Sequence, residues 1–177
     1  MLFVIILLTA GLFWVLAIKT DILRDPNSCP KEGKSTFSLG RTQFGIWTVI
    51  VFCSFVYLMN KIEVTDIVFT QDVIVLLGIS VGTTVISRSI DSNAKKQVLK
   101  NVESSDGCSK GFLIDILSDG SGISVHRFQQ VLFTLLLIYV FLVSLHEEVN
   151  FPDLDDQLLL LSGISSGGYL GIKMSEK

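Results

Sequence analysis

Long apolar runs occupy most of this chain and restrict what it can fold into. Of its 177 residues 49% are hydrophobic, and they stand in long runs rather than at periodic spacing. A run of about 18 apolar residues is long enough, as a helix, to cross the roughly 30 Å hydrocarbon core of a bilayer. The sequence therefore predicts an all-α integral membrane protein.

Five such segments are separated by polar connections, and they predict five transmembrane helices. The predicted parts are an N-terminal transmembrane helix (residues 1–19), a cytoplasmic connection (20–40), a first helical hairpin (41–88), a basic cytoplasmic connection (89–122) and a second helical hairpin (123–177). No Gly or Pro stands between Arg88 and Lys100, so the third span is expected to continue there as a polar helix. Residues 111–117 are expected to form a short amphipathic turn at the membrane surface.

The two hairpins are related by an internal repeat. Gly78-Ile79-Ser80 recurs 85 residues later as Gly163-Ile164-Ser165. The residues Ser38, Arg41 and Gln43 recur 86 residues later as Ser124, Arg127 and Gln129. This pattern indicates a tandem duplication with one residue lost between the two matches. Because one helix precedes the repeats, both start on the same side, and a pseudo-twofold axis should run along the membrane normal.

Basic residues predict the orientation, because short cytoplasmic loops carry an excess of Lys and Arg. With the N-terminus outside, only Lys61 of the 14 Lys and Arg residues falls outside, together with two acidic loops. The prediction is N-out and C-in. The outside loops have no Asn-x-Ser/Thr acceptor, which is compatible with a multi-pass protein of a bacterial inner membrane.

Hydroxyl groups follow one face of each returning helix, at spacings of three, four and seven. These candidates for lining a pore are Ser80, Thr83, Thr84, Ser87, Ser162, Ser165, Ser166 and Tyr169. One interpretation is that they bond the carbonyl four residues earlier or a neighbouring helix. The other is that they line a narrow hydrophilic path, within one chain or at the axis of an oligomer.

Glycines spaced by four lie beside these hydroxyl groups. They are Gly78 and Gly82 in the first hairpin, and Gly163, Gly167 and Gly171 in the second. Small residues at this spacing let membrane helices approach closely. Their occurrence in both repeats predicts a helix-packing interface.

Polar residues mark the inner ends of the outgoing helices. Ser38 and Ser124 are expected to cap these helices through their hydroxyl groups. Gln43 and Gln129 lie near the membrane boundary, where facing lipid would be costly. They are expected to turn inward as buried polar groups that bond another helix.

Basic side chains gather on the predicted inner side. Arg41, Arg127, Lys95, Lys96 and Lys100 are candidates for binding a lipid headgroup or a soluble anionic ligand. Phe37 and Phe112 are the aromatic residues near this region, which is too few for base stacking. Specific recognition of nucleic acid is therefore not predicted.

Catalytic, metal and disulfide chemistry are not predicted. His126 and His146 fall on opposite faces of the membrane, and no nucleophile or phosphate-binding motif is present. The three cysteines, Cys29, Cys53 and Cys108, are odd in number and form no CxxC pair. Neither a disulfide framework nor a zinc site is expected. No enzyme activity and no cofactor are predicted.

Two functions remain open. The first is a small homo-oligomeric channel or pore in the lipid bilayer, gated by a cytoplasmic protein or an anionic ligand such as a nucleotide. Small membrane effectors of bacterial antiviral defence act in this way as a class, which is an analogy only. The second is a membrane scaffold that anchors a cytoplasmic partner and does not conduct.

Overall fold

The computed structural model describes residues 2–25, 29, 33–98, 108–119 and 122–175. Of these described residues 74% are helical, and they form six α-helices. They are α1 (Leu2–Lys19), α2 (Leu39–Leu58), α3 (Gln71–Val98), α4 (Phe112–Leu117), α5 (Val125–Glu148) and α6 (Asp156–Ser175). A 3₁₀ turn spans Val64–Asp66, and a small antiparallel hairpin pairs β1 (Ser118–Asp119) with β2 (Gly122–Ile123).

Three of these helices are long and apolar enough to cross a membrane. They are Leu39–Leu58, Gln71–Ile90 and Val125–Glu148. Large apolar side chains point outward from them, among them Ile74 and Leu135, each more than half exposed. The α3 helix continues beyond its apolar part to Val98, so the predicted polar extension is confirmed nearly to its expected end.

Four helices form a bundle. Going around it, α2 packs against α3, α3 against α6, and α6 against α5, which returns beside α2. The α1 helix lies outside and packs on α2. A Cβ at Gly45 would stand 2.7 Å from the Phe13 ring, so this glycine permits the close approach of α1 and α2. Gly40 does the same for α2 and α3, because its Cβ would lie 3.4 Å from Thr84 Cα.

The larger hydrophobic cluster fills the half of the bundle next to the turns at residues 59–70 and 149–155. Phe141 is fully buried and packs edge to face on Trp47, with ring centroids 5.7 Å apart. The stacked rings of Phe55, Phe69 and Phe151 extend the cluster into both turns. We call this cluster the apolar half.

Hydrogen bonds join the two turns to each other. Asn150 Oδ1 accepts from the backbone N–H groups of Val68 and Phe151, at 3.3 and 2.9 Å. Asp72 Oδ2 accepts from Leu154 N at 2.8 Å. Asp72, near the start of α3, therefore holds the turn between α5 and α6 in place.

The opposite end of the bundle is covered by the described parts of residues 20–38 and 108–124, which we call the cap. Bridges between Arg24 and Phe37, and between Ser35 and Cys108, join three extended segments of the cap. The α4 helix forms within the segment that was predicted to be amphipathic, and it exposes Leu113 while burying Ile116. The cap is thus an ordered unit rather than a simple connection.

The helix starts agree with the expected positions, but the expected capping bonds are absent. Ser38 and Ser124 occupy the N-cap positions of α2 and α5, 86 residues apart. Neither hydroxyl makes a capping hydrogen bond. The prediction of side-chain capping is therefore wrong. Their carbonyls instead accept the first helical bonds, from Thr42 N and Phe128 N, each at 3.0 Å.

Candidate polar layer of the helix bundle

Four polar side chains from three helices meet inside the bundle. Gln43 Nε2 of α2 donates to Thr134 Oγ1 of α5 at 2.5 Å. Gln130 Nε2 of α5 donates to Ser166 Oγ of α6 at 2.8 Å and reaches Gln43 Oε1 at 3.4 Å. Thr134 Oγ1 donates back to the Gln130 carbonyl at 2.8 Å. We call Gln43, Gln130, Thr134, Ser166 and the neighbouring Ser165 the polar layer.

The polar layer is enclosed by apolar side chains on both sides. The apolar half lies beyond it toward the turns. Toward the cap, a second cluster of Leu39, Ile116, Tyr169 and Leu170 covers it. Gln43 and Gln130 are only 7% and 4% exposed, although burying an amide among apolar side chains is unfavourable unless it is hydrogen-bonded.

Two atoms of the polar layer are buried without a hydrogen-bond partner among the described residues. They are Gln130 Oε1 and Ser165 Oγ. Leaving a buried polar group unpaired costs about 1–3 kcal/mol. These two oxygens can therefore accept hydrogen bonds from water or from another polar species that enters the layer.

The predicted hydroxyl groups of α3 point into the bundle of their own chain. Ser80, Thr83 and Ser87 are buried, and Thr84 is half-buried. Ser80 and Thr83 donate to the carbonyls four residues earlier, at 3.0 and 2.7 Å. Thr84 Oγ1 lies 3.0 Å from the Gly40 carbonyl of α2, and Ser87 Oγ accepts from Lys173 Nζ of α6.

The predicted residues of α6 are buried as well. Ser162, Ser165 and Ser166 are 9%, 8% and 5% exposed, and Tyr169 is 3% exposed. The Tyr169 ring lies beneath two cations, with Arg127 Cζ 5.5 Å and Lys173 Nζ 5.9 Å from its centroid. Within a single chain, all these groups therefore face the interior.

One of the two predicted buried glutamines is misplaced by a single residue. Gln43 is buried, but Gln129 is exposed, and Gln130 takes the inward position. The reason is helical phase. The buried residues of α5 are Gln130, Leu137, Phe141 and Leu145, at spacings of seven, four and four. Residue 129 falls on the adjacent face of α5. The residue 86 positions after the buried Gln43 is therefore exposed, although it matches Gln43 in the repeat.

The predicted glycine stripes do not pack within the chain. A Cβ at Gly78, Gly82, Gly167 or Gly171 would meet no heavy atom within 4 Å, and at Gly163 it would meet only Ile79 Cδ1, at 3.9 Å. The stripes therefore make no close helix contact with the described residues of their own chain, and packing against another copy stays a prediction. Close approach occurs instead at Gly40 and Gly45, where α2 contacts its neighbours.

Of the predicted anion-binding side chains, the structure describes those of Arg41 and Arg127. Arg41 Nε lies 3.9 Å from Asp25 Oδ1, and its Nη1 donates to the Ile22 carbonyl at 3.4 Å. Arg127 lies over Tyr169 at the start of α5. Lys95 and Lys96 belong to the α3 backbone, but their side chains are outside the described part, as is Lys100 altogether.

The cap is organised around a buried carboxylate that the sequence did not single out. Asp115 is 6% exposed and accepts three hydrogen bonds. The donors are Phe37 N at 3.2 Å, Ser109 Oγ at 2.6 Å and Lys110 N at 2.8 Å. Through Asp115, the segment that leads into α2 is fixed to the segment that leads into α4.

A disulfide bond joins Cys29 and Cys108 across 79 residues of sequence. The expectation that no disulfide would form is therefore wrong. It rested on the odd count and the absence of a CxxC pair, and neither excludes a bond between two distant loops. Cys53 is the free cysteine, half-buried beside Thr9 of α1, with their sulfur and oxygen atoms 3.7 Å apart.

Chemically, the polar layer consists of amides and hydroxyl groups. Such groups can hydrogen-bond water or replace part of the hydration shell of an ion. They do not supply a nucleophile with an adjacent base, as acyl or phosphoryl transfer would need. No family model matches the sequence, and no curated protein or solved structure matches it either.

Proposed function

We propose that the chain is a small membrane channel whose path runs through the polar layer of its own helix bundle. The observation that carries this proposal is the pair of buried oxygens, Gln130 Oε1 and Ser165 Oγ, that have no partner among the described residues. A bundle that used its polar groups only to hold helices together would be expected to pair them.

The unpaired oxygens supply a reason for opening. In a packed, closed bundle each costs about 1–3 kcal/mol, and that cost disappears when water enters and donates to it. The closed state is thereby brought closer in energy to a hydrated one. The burial of the hydroxyl groups within one chain supports a path inside the bundle rather than at an oligomer axis.

Two apolar barriers would close this path. The apolar half lies on one side of the polar layer, and the cluster around Leu39 and Tyr169 lies on the other. Apolar constrictions can gate by excluding water. Opening in this proposal requires α5 and α6 to move away from α2 and α3, which would part both clusters.

The wider arrangement is part of the same proposal. Beyond the three helices that are long and apolar enough to span, α1 and α6 complete five crossings. The offsets of 86 and 85 between the starts of α2 and α5 and of α3 and α6 support a duplicated hairpin. The cap faces the cytoplasm, with the N-terminus outside. A homo-oligomer of this chain would contain one such path in each subunit.

Conduction is tested by placing the purified full-length protein in planar bilayers. We expect ion currents that fall at least about tenfold in Gln130→Leu and in Ser166→Leu, because both remove polar groups that hydrate the path. The matched control is Gln129→Leu, one residue away and exposed. It should conduct as the unchanged protein does.

Two results would overturn the channel proposal. One is equal currents in the Gln129 and Gln130 variants, which would separate conduction from the polar layer. The other is silence of the unchanged protein in bilayers both with and without a cytoplasmic extract. That silence would favour a scaffold that does not conduct.

The second candidate is a scaffold that presents the cap to a cytoplasmic partner without conduction. The ordered cap favours it, since the disulfide and the Asp115 hydrogen bonds hold a defined surface. Cross-linking from Lys110, which is exposed on the cap, would capture such a partner in cells. Loss of that capture in Asp115→Asn, with membrane insertion intact, would support a scaffold. Unchanged capture would count against it.

A further inference from the structure

We propose that Cys29 and Cys108 are a reversible thiol–disulfide site that exchanges with small-molecule disulfides on the cytoplasmic side of the membrane. The proposal does not depend on conduction, but it rests on the five-span, N-out arrangement of the proposed function. It is argued from the position of the bond in the fold, the distribution of Lys and Arg along the chain and the contacts that hold the two segments together.

The bond joins two connections on one side of the bundle. Cys29 lies in the connection between α1 and α2, and Cys108 lies just before α4. Apart from Lys61, the Lys and Arg residues of the chain belong to this side in the five-span arrangement. The positive-inside rule places that side in the cytoplasm.

The cytoplasm is a reducing compartment, where disulfides are rare and usually transient or redox-sensing. Thirteen of the fourteen Lys and Arg residues lie on this side and indicate the cytoplasm. A permanent structural disulfide on the same side would instead indicate an oxidising compartment, so the two observations conflict. Reversible exchange resolves the conflict, because it allows the bond to form in the cytoplasm when the ratio of small disulfides to thiols rises.

The cap would keep the two thiols close after reduction. Ser109 N donates to the Lys34 carbonyl at 2.9 Å, and Ser35 bridges to Cys108 itself. Phe37 adds a hydrogen bond to Asp115 and an edge-to-face contact with Phe112, at a centroid distance of 5.1 Å. These non-covalent contacts do not require the disulfide. Cys29 stands five residues before Lys34 in the sequence, so after reduction it stays tethered to the segment that is held beside Cys108.

The sulfur atoms are also open to exchange. Cys29 and Cys108 are both half-buried rather than enclosed, and the neighbouring Gly33 is exposed. A Cβ at Gly33 would stand 2.8 Å from Cys29 Sγ and 2.9 Å from Cys108 Sγ. The bonded pair of sulfurs therefore packs closely on Gly33, which has no side chain in their way.

The exchange is a balanced two-step reaction with oxidised glutathione or another small disulfide. The thiolate of one cysteine attacks the small disulfide, forms a mixed disulfide and releases one small thiolate. The second cysteine thiolate then attacks the protein sulfur of the mixed disulfide and releases the other. Two electrons pass from the protein dithiol to the small disulfide, and the two protons end on the two released thiols.

The test uses full-length protein with Cys53→Ser, so that Cys29 and Cys108 are its only thiols. Membranes are equilibrated in mixtures of reduced and oxidised glutathione, quenched with acid and treated with a maleimide that adds mass to each free thiol. We expect the oxidised-to-reduced ratio to change about tenfold per tenfold change in [GSSG]/[GSH]². The same value should be reached starting from either form.

Gly33→Ala separates exchange from a merely structural role. Its Cβ would collide with the bonded sulfurs, so the equilibrium should shift toward the dithiol by about tenfold. Lys34→Ala is the matched control, because its exposed side chain is lost while its backbone bond to Ser109 remains. It should leave the equilibrium unchanged.

Three outcomes would overturn the proposal. A bond that stays oxidised in every glutathione mixture, yet is reduced by dithiothreitol, would be a permanent structural disulfide. Thiols that never pair in any mixture would show that no exchange site exists. Labelling of the reduced pair by a membrane-impermeant maleimide added outside intact cells would place the cap in the oxidising compartment.

Discussion

Replacing Gln130 with Leu tests whether the polar layer is built as described. Leu is similar in volume to Gln, so the substitution leaves little cavity while removing every polar atom of the side chain. The Nε2 bonds to Ser166 and Gln43 are lost, at 2.8 and 3.4 Å. Gln129→Leu, on the exposed adjacent face, is the matched control.

The expected cost is small because two effects oppose each other. Hydrogen bonds between membrane helices contribute about 0.6 kcal/mol on average, so two of them contribute about 1 kcal/mol. The acceptors left on Ser166 and Gln43 add an unpaired-group cost of about 1–3 kcal/mol. The substitution also removes Gln130 Oε1, which is already unpaired. That gain is about as large as the cost of the newly unpaired acceptors, so the two cancel. We therefore expect Gln130→Leu to lower the free energy of unfolding by about 1 kcal/mol.

Reversible unfolding in mixed micelles measures this, followed by the fluorescence of the buried Trp47 in a Trp14→Phe background. Gln129→Leu should change the free energy of unfolding by less than about 0.5 kcal/mol. A cycle that combines Gln130→Leu with Ser166→Ala should return a coupling energy of about 0.6 kcal/mol.

Two results would refute the reasoning. If Gln129→Leu cost as much as Gln130→Leu, the inward face of α5 would be assigned wrongly. If Gln130→Leu cost more than about 3 kcal/mol, its Oε1 would have a partner in the closed state. The channel proposal would then lose the observation on which it depends.

Three further substitutions test other parts of the fold. Asp115→Asn should lower the stability of the cap by about 2 kcal/mol, because the Asp115 carboxylate accepts three hydrogen bonds there. Faster hydrogen exchange of the cap amides would show this loss, and unchanged exchange would contradict it. Phe141→Ala should cost about 3 kcal/mol in the same unfolding assay, since its ring is fully buried, whereas Tyr139→Ala on the exposed face should cost little. Gly45→Leu should disturb the packing of α1 on α2, while Gly82→Leu should leave folding yield unchanged; an equal loss at Gly82 would mean that its face packs against another chain.

Composition was enough to predict an all-α chain with helices that could span a membrane, because this depends on how much of the chain is apolar and on the length of the apolar runs. The three helices that are long and apolar enough to span, the polar extension of α3 and the short α4 follow from local composition and the positions of Gly and Pro. The starts of α2 and α5 lie 86 residues apart and those of α3 and α6 lie 85 apart, the same offsets as between the repeated residues. These properties are local, so a neighbour in space is not needed to decide them.

Which side chains meet became visible only in the assembled bundle. Whether Gln129 or Gln130 turns inward depends on the rotation of α5 against α2 and α6, although the spacing of Gln130 to Leu137 and Phe141 carried a signal that favoured residue 130. The disulfide joins residues 79 apart, and no local pattern links two loops that far apart in sequence. Glycine spacing predicted close packing at the stripes, but a helix has several faces, and the bundle buries another one. Helix phase, loop pairing and the choice of packing face are properties of the assembled bundle, because each depends on where other helices lie.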